Sequence, residues 1–232
     1  MCLRDWMYIT DMVNHYERIC DVFDVPFFGD GDTGFGNVTN VSRTVRMYER
    51  AGLAGMFIED QVFPKRCGHM IGKNVIPAEE MVSKLKAALD ARQDPDFVIM
   101  ARTDANAVYG IDDALERMAL YREVGADLLF VEAPRNKREM QRICSELDGP
   151  NIANMIEGGA TPLLSLEELS DIGFYKNSFP VDRGLDHPNE ISAYMFSELF
   201  QALYLNKEFI SDKGKENTLS FLNWIDVEMK LN

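Results

Sequence analysis

From Val25 onward, short apolar runs alternate with longer stretches in which apolar residues recur every three to four positions. VPFFGD (25–30), AGMFIED (54–60), FVIMART (97–103) and DLLFVEA (127–133) read as strands, each short and almost continuously apolar. NIANMIE (151–157) is a weaker strand, and GFYKNSF (173–179) is the last. The helical period predicts helices over Thr10–Phe23, Val38–Ala51, Pro77–Ala91, Ile111–Val124 and Lys137–Leu147. A short helix follows over Ser165–Asp171 and a long one over Pro188–Leu205. Pro77 at a helix start, and Gly52 and Gly125 just past helix ends, are the expected punctuation. Strands buried on both faces with helices between them imply a parallel sheet and right-handed crossovers. The pattern holds six strands, whereas a closed (β/α)8 barrel needs eight. It therefore fits either an open six-stranded sheet or a barrel lacking two strands at its N-terminus. No repeat, low-complexity tract or linker divides the chain, so residues 1–232 read as one domain. The tail from Asn206, polar and then apolar at Leu219, Phe221, Leu222 and Trp224, is expected to dock on a neighbour or a second subunit.

Composition narrows the partners. A net charge of -14 and a pI near 4.6 argue against nucleic acid, whose binding needs a basic face. They leave an anionic substrate open, because a metal or one arginine reverses the sign locally. Cys2, Cys20, Cys67 and Cys144 form no CxxC pair, and with no secretory signal in view the expectation is reduced thiols and a cytoplasmic setting. No apolar run approaches the ~20 residues of a membrane span.

The polar residues that break the pattern gather where strands end. Asp30 and Asp32 close the first strand, and Glu59 and Asp60 the second. Residues two apart on a strand face the same side, and carboxylates converging there suit a hard, oxygen-liganded ion, Mg²⁺ with Mn²⁺ as the alternative. Zinc is rejected for want of His and Cys. The competing reading, that Asp30 and Asp32 cap the following helix or turn at Gly31, Gly34 and Gly36, is outweighed by the second acid pair and the strand-end position. GDGDTGFGN lacks the spacing of a dinucleotide fingerprint; its glycines suit close backbone approach to a ligand. Next comes VFPKRCGHM (62–70), where Cys67 lies between Lys65–Arg66 and Gly68–His69. Nearby cations lower a thiol's pKa, and such a Cys is a plausible general acid for a carbanion-like product. Cys2, Cys20 and Cys144 read as structural. Arg102 and Asp104 end the third strand, Glu132 ends the fourth, and Asn154 lies in NMIEGG within the fifth. Arginine grips a carboxylate through two parallel hydrogen bonds. One polar residue at nearly every strand end is the layout of a TIM-barrel site. His15 and His187 read as helix or surface residues, and the 13 methionines as core filler.

GDGDTGFGN, VSRTVRMYERAGLAGMFIEDQVFPKRCGH, VIPAEEMVSKLKAALDARQDPDFVIMARTDA, GADLLFVEAP and NMIEGGATPLLSLEEL resemble the isocitrate lyase / phosphoenolpyruvate mutase superfamily. The nearest branch is that of methylisocitrate lyase, 2,3-dimethylmalate lyase and oxaloacetate hydrolase-like proteins. The resemblance implies a (β/α)8 barrel, here without a counterpart of the family's first two strands, with helices from about residue 188 used in a homo-oligomer, a tetramer or dimer. Asp5 stands near an acid that the family carries upstream of the first helix. The resemblance also implies Mg²⁺ held by Asp30, with Asp32 and Glu59 acting largely through its waters. Arg102 would bind the substrate carboxylate, with Glu132 and Asn154 lining the pocket. Lys65, Cys67, Gly68 and His69 fall on a gating loop, with Cys67 at the general-acid position of the carbon–carbon lyases. The expectation is therefore a Mg²⁺-dependent lyase of small 2-hydroxy di- or tricarboxylates. An oxaloacetate or phosphonopyruvate hydrolase, a phosphonomutase and a catalytically degenerate barrel are the alternatives.

Overall fold

The alternation folds as one parallel sheet whose strands lie side by side in chain order. The computed structural model describes residues 8–22, 26–66, 72–155 and 159–174. Helix α1 (Ile9–Val22) leads to β1 (Phe28–Asp30), followed by α2 (Val38–Arg50), β2 (Gly55–Glu59), α3 (Ala78–Ala91) and β3 (Val98–Thr103). The single turn α4 (Ala105–Val108), α5 (Ile111–Val124), β4 (Leu128–Val131), α6 (Lys137–Glu146), β5 (Asn151–Ile152) and α7 (Leu166–Ile172) complete it. The sheet order is β1-β2-β3-β4-β5 and every pairing is parallel. Right-handed crossovers that never reverse direction put the helices on one face of the sheet. A doubly wound sheet reverses its order at a switch point; among the described residues this one does not. Its strand order is that of a barrel wall.

Local chemistry explains the boundaries. α2 starts at a capping box in which Asn37 accepts from the Thr39 and Asn40 amides, and the Asn40 side chain accepts from the Asn37 amide. α7 uses Ser165 and Glu168 in the same way. α5 stops at Gly125, whose φ of 116° suits a residue without a Cβ. β1 and β5 are shorter than the apolar runs suggest, and α4 has no period long enough to read in sequence. The expected strand 173–179 lies beyond the described residues after Phe174, as do the helix over 188–205 and the tail expected to join a second subunit.

The register sorts the strand residues into two faces. Met56, Ile58, Ile99, Ala101 and Leu129 occupy the face toward the helices, where Val41, Val45, Tyr48, Met81, Leu85, Met118 and Tyr121 are buried with them. Asp30, Phe57, Glu59, Met100, Arg102 and Phe130 lie on the opposite face. Phe57 and Phe130 meet edge to face there, with centroids 6.3 Å apart. No described helix is long and apolar enough to cross a membrane.

Candidate active site

The inner face becomes charged at the C-terminal ends of the strands. Asp30 is positioned by its backbone: its N–H donates to the Tyr16 hydroxyl at 2.9 Å, and its carbonyl accepts from the Tyr48 hydroxyl at 2.9 Å. The two tyrosines, from α1 and α2, pack edge to face with centroids 5.1 Å apart. Beyond Asp30 the chain turns tightly. The Asp32 amide donates to Asp30 Oδ1 at 2.8 Å, the Glu59 amide to the Asp32 carbonyl at 2.8 Å, and Asp32 has a φ of 48°. Gly31 makes the turn fit, since a Cβ there would sit 2.2 Å from Met56 Cε and 2.6 Å from the Phe57 carbonyl. Lys84, reaching from α3, donates to the Thr33 carbonyl at 2.9 Å and fastens the loop from outside. Neither acid caps α2, which takes its cap from Asn37, but the Asp30 carboxylate does cap the turn at Gly31.

Asp30, Asp32 and Glu59 converge on one positive centre, the ammonium of Lys65. Its Nζ lies 3.4 Å from Asp30 Oδ2, 3.4 Å from Glu59 Oε1 and in contact with Asp32 Oδ1. Lys65 is 8% exposed and Glu59 fully buried. Burial raises the Glu59 carboxyl above its ordinary value, against the opposing pull of Arg102 and Lys65. The Arg102 guanidinium sits on the other side of Glu59. Its Nε is 3.3 Å from Glu59 Oε2 and 3.0 Å from Asp104 Oδ2, and its Nη2 is 3.0 Å from Glu132 Oε2. Phe130 lies beneath it, with the guanidinium carbon 5.2 Å from the ring centroid. Asn154 closes this row, its Nδ2 3.5 Å from Glu132 Oε1. Asp104 is shared further: Lys73 Nζ donates to its Oδ1 at 2.8 Å. Although burial opposes ionisation, Arg102 and Lys73 hold the Asp104 carboxyl at about 2.

Asp60 does not join this group. Adjacent strand residues face opposite sides, so where Glu59 points inward Asp60 points to the helices. It accepts from Thr103 Oγ1 at 2.7 Å, Tyr121 Oη at 3.0 Å, the Asp104 amide at 3.0 Å and Arg117 Nη1 at 3.3 Å. The convergence of both acids of this pair, drawn from sequence, is corrected by the pleat. Cys67, Gly68 and His69 lie outside the described residues. Of the thiols read as structural, Cys20 and Cys144 are partly buried, and burial raises both, Cys144 to about 12.

The phosphoenolpyruvate phosphomutase family matches residues 4–180. The chain belongs to that family. It is 52% identical over 172 residues to 2,3-dimethylmalate lyase of Eubacterium barkeri, covering 74% of this chain and 60% of that protein. With 2-methylisocitrate lyase of Salmonella typhimurium it shares 38% identity over 231 residues, covering 86% and 78% respectively. Among solved structures, oxaloacetate acetylhydrolase in complex with the inhibitor 3,3-difluorooxalacetate superimposes with a TM-score of 0.70 at 35% identity, covering 73% of this chain and 59% of that one. The chain thus spans about 60% of the dimethylmalate lyase that it matches.

Within this family frame the donor set fits a hard divalent cation. It is oxygen-only, and Asp32 Oδ1 and both Glu59 oxygens are buried without a hydrogen-bond partner among the described residues, held only by ion pairs. Among the described residues no group of three acid, His or Cys side chains is arranged to hold a metal ion with Lys65 in place. Tyr16, Tyr48, Lys73 and Lys84 escaped the sequence reading. Each is an ordinary helix or loop residue until folding brings it to the strand ends. The groove of about 680 Å³ beside Arg43, Arg46 and Arg50 belongs to the outer surface of α2 and contains none of these residues.

Proposed function

We propose that this chain is a Mg²⁺-dependent carbon–carbon lyase that cleaves a small 2-hydroxy di- or tricarboxylate, of the methylisocitrate or dimethylmalate type, into a 2-oxo acid and a carboxylic acid. The observation that carries this reading is the convergence of Asp30, Asp32 and Glu59 on one cationic centre, beside Arg102, at the C-terminal end of a barrel-type sheet. When bound, the ion supplies positive charge that stabilises the developing negative charge of a 2-oxygenated carboxylate. Asp30, Asp32 and Glu59 are the residues that would hold the ion. Arg102, anchored by Asp104 and Glu132, presents positive charge to a substrate carboxylate. A general base takes the hydroxyl proton, the C2–O bond becomes a carbonyl and C2–C3 breaks, its electron pair passing to the departing carboxylic acid as an enediolate. Cys67 donates its thiol proton to that carbon and leaves as thiolate, with Lys65 and His69 on the same loop. The similarity to 2,3-dimethylmalate lyase and 2-methylisocitrate lyase supports lyase chemistry over phosphoryl transfer.

A coupled assay for pyruvate and glyoxylate release, with and without Mg²⁺, tests the reading on 2-methylisocitrate, 2,3-dimethylmalate and isocitrate. Metal-dependent release from one of them is the expected result; silence on all three from folded protein refutes the lyase. The likeness to oxaloacetate acetylhydrolase favours a second reading. Acetate and oxalate produced from oxaloacetate would move the chain there. A homo-oligomer is part of the proposal and is read by light scattering.

A further inference from the structure

The place expected for a divalent ion is also the place of a lysine. Lys65 Nζ lies within 3.4 Å of Asp30 and Glu59 and touches Asp32, so a single charge answers three carboxylates. An ion of charge two would answer them better, but the ammonium and the ion repel each other and cannot share one seat. Lys65 comes from a strap that follows β2. Residues 60–62 pair with 74–76, through the Val62 amide on the Asn74 carbonyl and the Ile76 amide on the Asp60 carbonyl, both 2.8 Å. Beyond that pairing the Gln61 side chain braces the strap, with Nε2 donating to the Arg66 carbonyl at 2.8 Å and Oε1 accepting from the Arg66 amide at 2.9 Å. Phe63 is 68% exposed and Val62 43%.

We propose that Lys65 is an intramolecular competitor for the divalent cation. Its ammonium and the ion occupy the seat between Asp30, Asp32 and Glu59 alternately, so that loading the ion displaces the Lys65 side chain from the seat. The inference rests on the metal reading above and assigns Lys65 a role in setting metal affinity. While Lys65 holds the seat the binding-competent fraction is small, and the apparent affinity falls by that fraction.

Two measurements on the full chain test it. MgCl₂ titrations by calorimetry compare wild type, Lys65→Met and, as a control of equal charge outside the seat, Arg66→Met. The expected result is about tenfold or greater tightening for K65M, where nothing competes, and less than about twofold for R66M. In parallel, reductive methylation of the wild type is followed by mass spectrometry. Lys65 should be protected without Mg²⁺ and become reactive when Mg²⁺ saturates. The second arm needs no variant and decides the matter if K65M does not fold. Unchanged or weaker binding in folded K65M, with wild type binding normally, overturns the competition and leaves the metal site standing. Continued protection of Lys65 at saturating Mg²⁺ overturns it equally. Binding in K65M but not in wild type supports it in its strongest form. No binding in either folded protein removes the metal reading and this inference together.

Discussion

Asp104 is the residue whose removal tests most directly how the site is held together. It is fully buried, accepts from Arg102 Nε at 3.0 Å and from Lys73 Nζ at 2.8 Å, and is the common anchor of two buried cations. Its carboxyl is held at about 2 against an ordinary 3.8, with burial opposing that shift and the charges of Arg102 and Lys73 overcoming it. At about 1.36 kcal/mol per unit, the fold favours the ionised form by roughly 2–3 kcal/mol. Asp104→Asn keeps the shape but leaves both cations undercompensated, and stripping one partner from a buried ion pair costs about 3–5 kcal/mol. Urea unfolding at pH 7 should show a loss in that range. Lys73→Met, which leaves Asp104 with Arg102, should cost less, and the double variant should show a coupling of about 1–3 kcal/mol. The pH dependence has a definite sign. Because the folded carboxyl is the stronger acid, its contribution is complete above pH 3.8 and lost as pH falls toward about 2. The urea midpoint of the Asn variant should fall less over that interval than that of wild type. A cost below about 1 kcal/mol, with Lys73→Met and Asp104→Asn additive within about 0.5 kcal/mol, would refute the shared-anchor argument.

Gly31→Ala should cost about 1–3 kcal/mol and weaken Mg²⁺ binding, because the new methyl meets the Phe57 carbonyl as well as the mobile end of Met56; an unchanged thermal midpoint would contradict this. Glu59→Gln should stabilise the metal-free protein at pH 7. Burial raises the Glu59 carboxyl, so its charge costs stability as pH rises past the ordinary value of 4.5. The same variant should bind Mg²⁺ less tightly, and a lower urea midpoint at pH 7 would show that the ion pairs outweigh desolvation. Cys67→Ser should abolish lyase turnover and leave the Mg²⁺ titration intact, whereas full turnover would remove Cys67 from the mechanism.

Much of this architecture was legible in one sequence. Strand length and continuous apolarity marked β1 to β4, helical periodicity marked α2, α3, α5 and α6, and their alternation implied a parallel sheet. Asp30, Asp32, Glu59, Arg102, Glu132 and Asn154 stood out as polar residues breaking apolar runs at strand ends, and folding places them in one contiguous cluster. What tertiary structure decided was direction and partnership. Period two says that Glu59 and Asp60 face opposite sides, but which of them meets the site depends on where the crossovers put the helices. The partners of Asp30 and Asp104 come from far along the chain: Tyr48 is 18 residues away, Lys73 31 residues and Lys65 35 residues. A lysine in a polar loop has the same local signature whether it points to solvent or into a nest of carboxylates. Only packing distinguishes the two, because the energy that draws Lys65 inward comes from charges that the fold, not the neighbouring sequence, brings together.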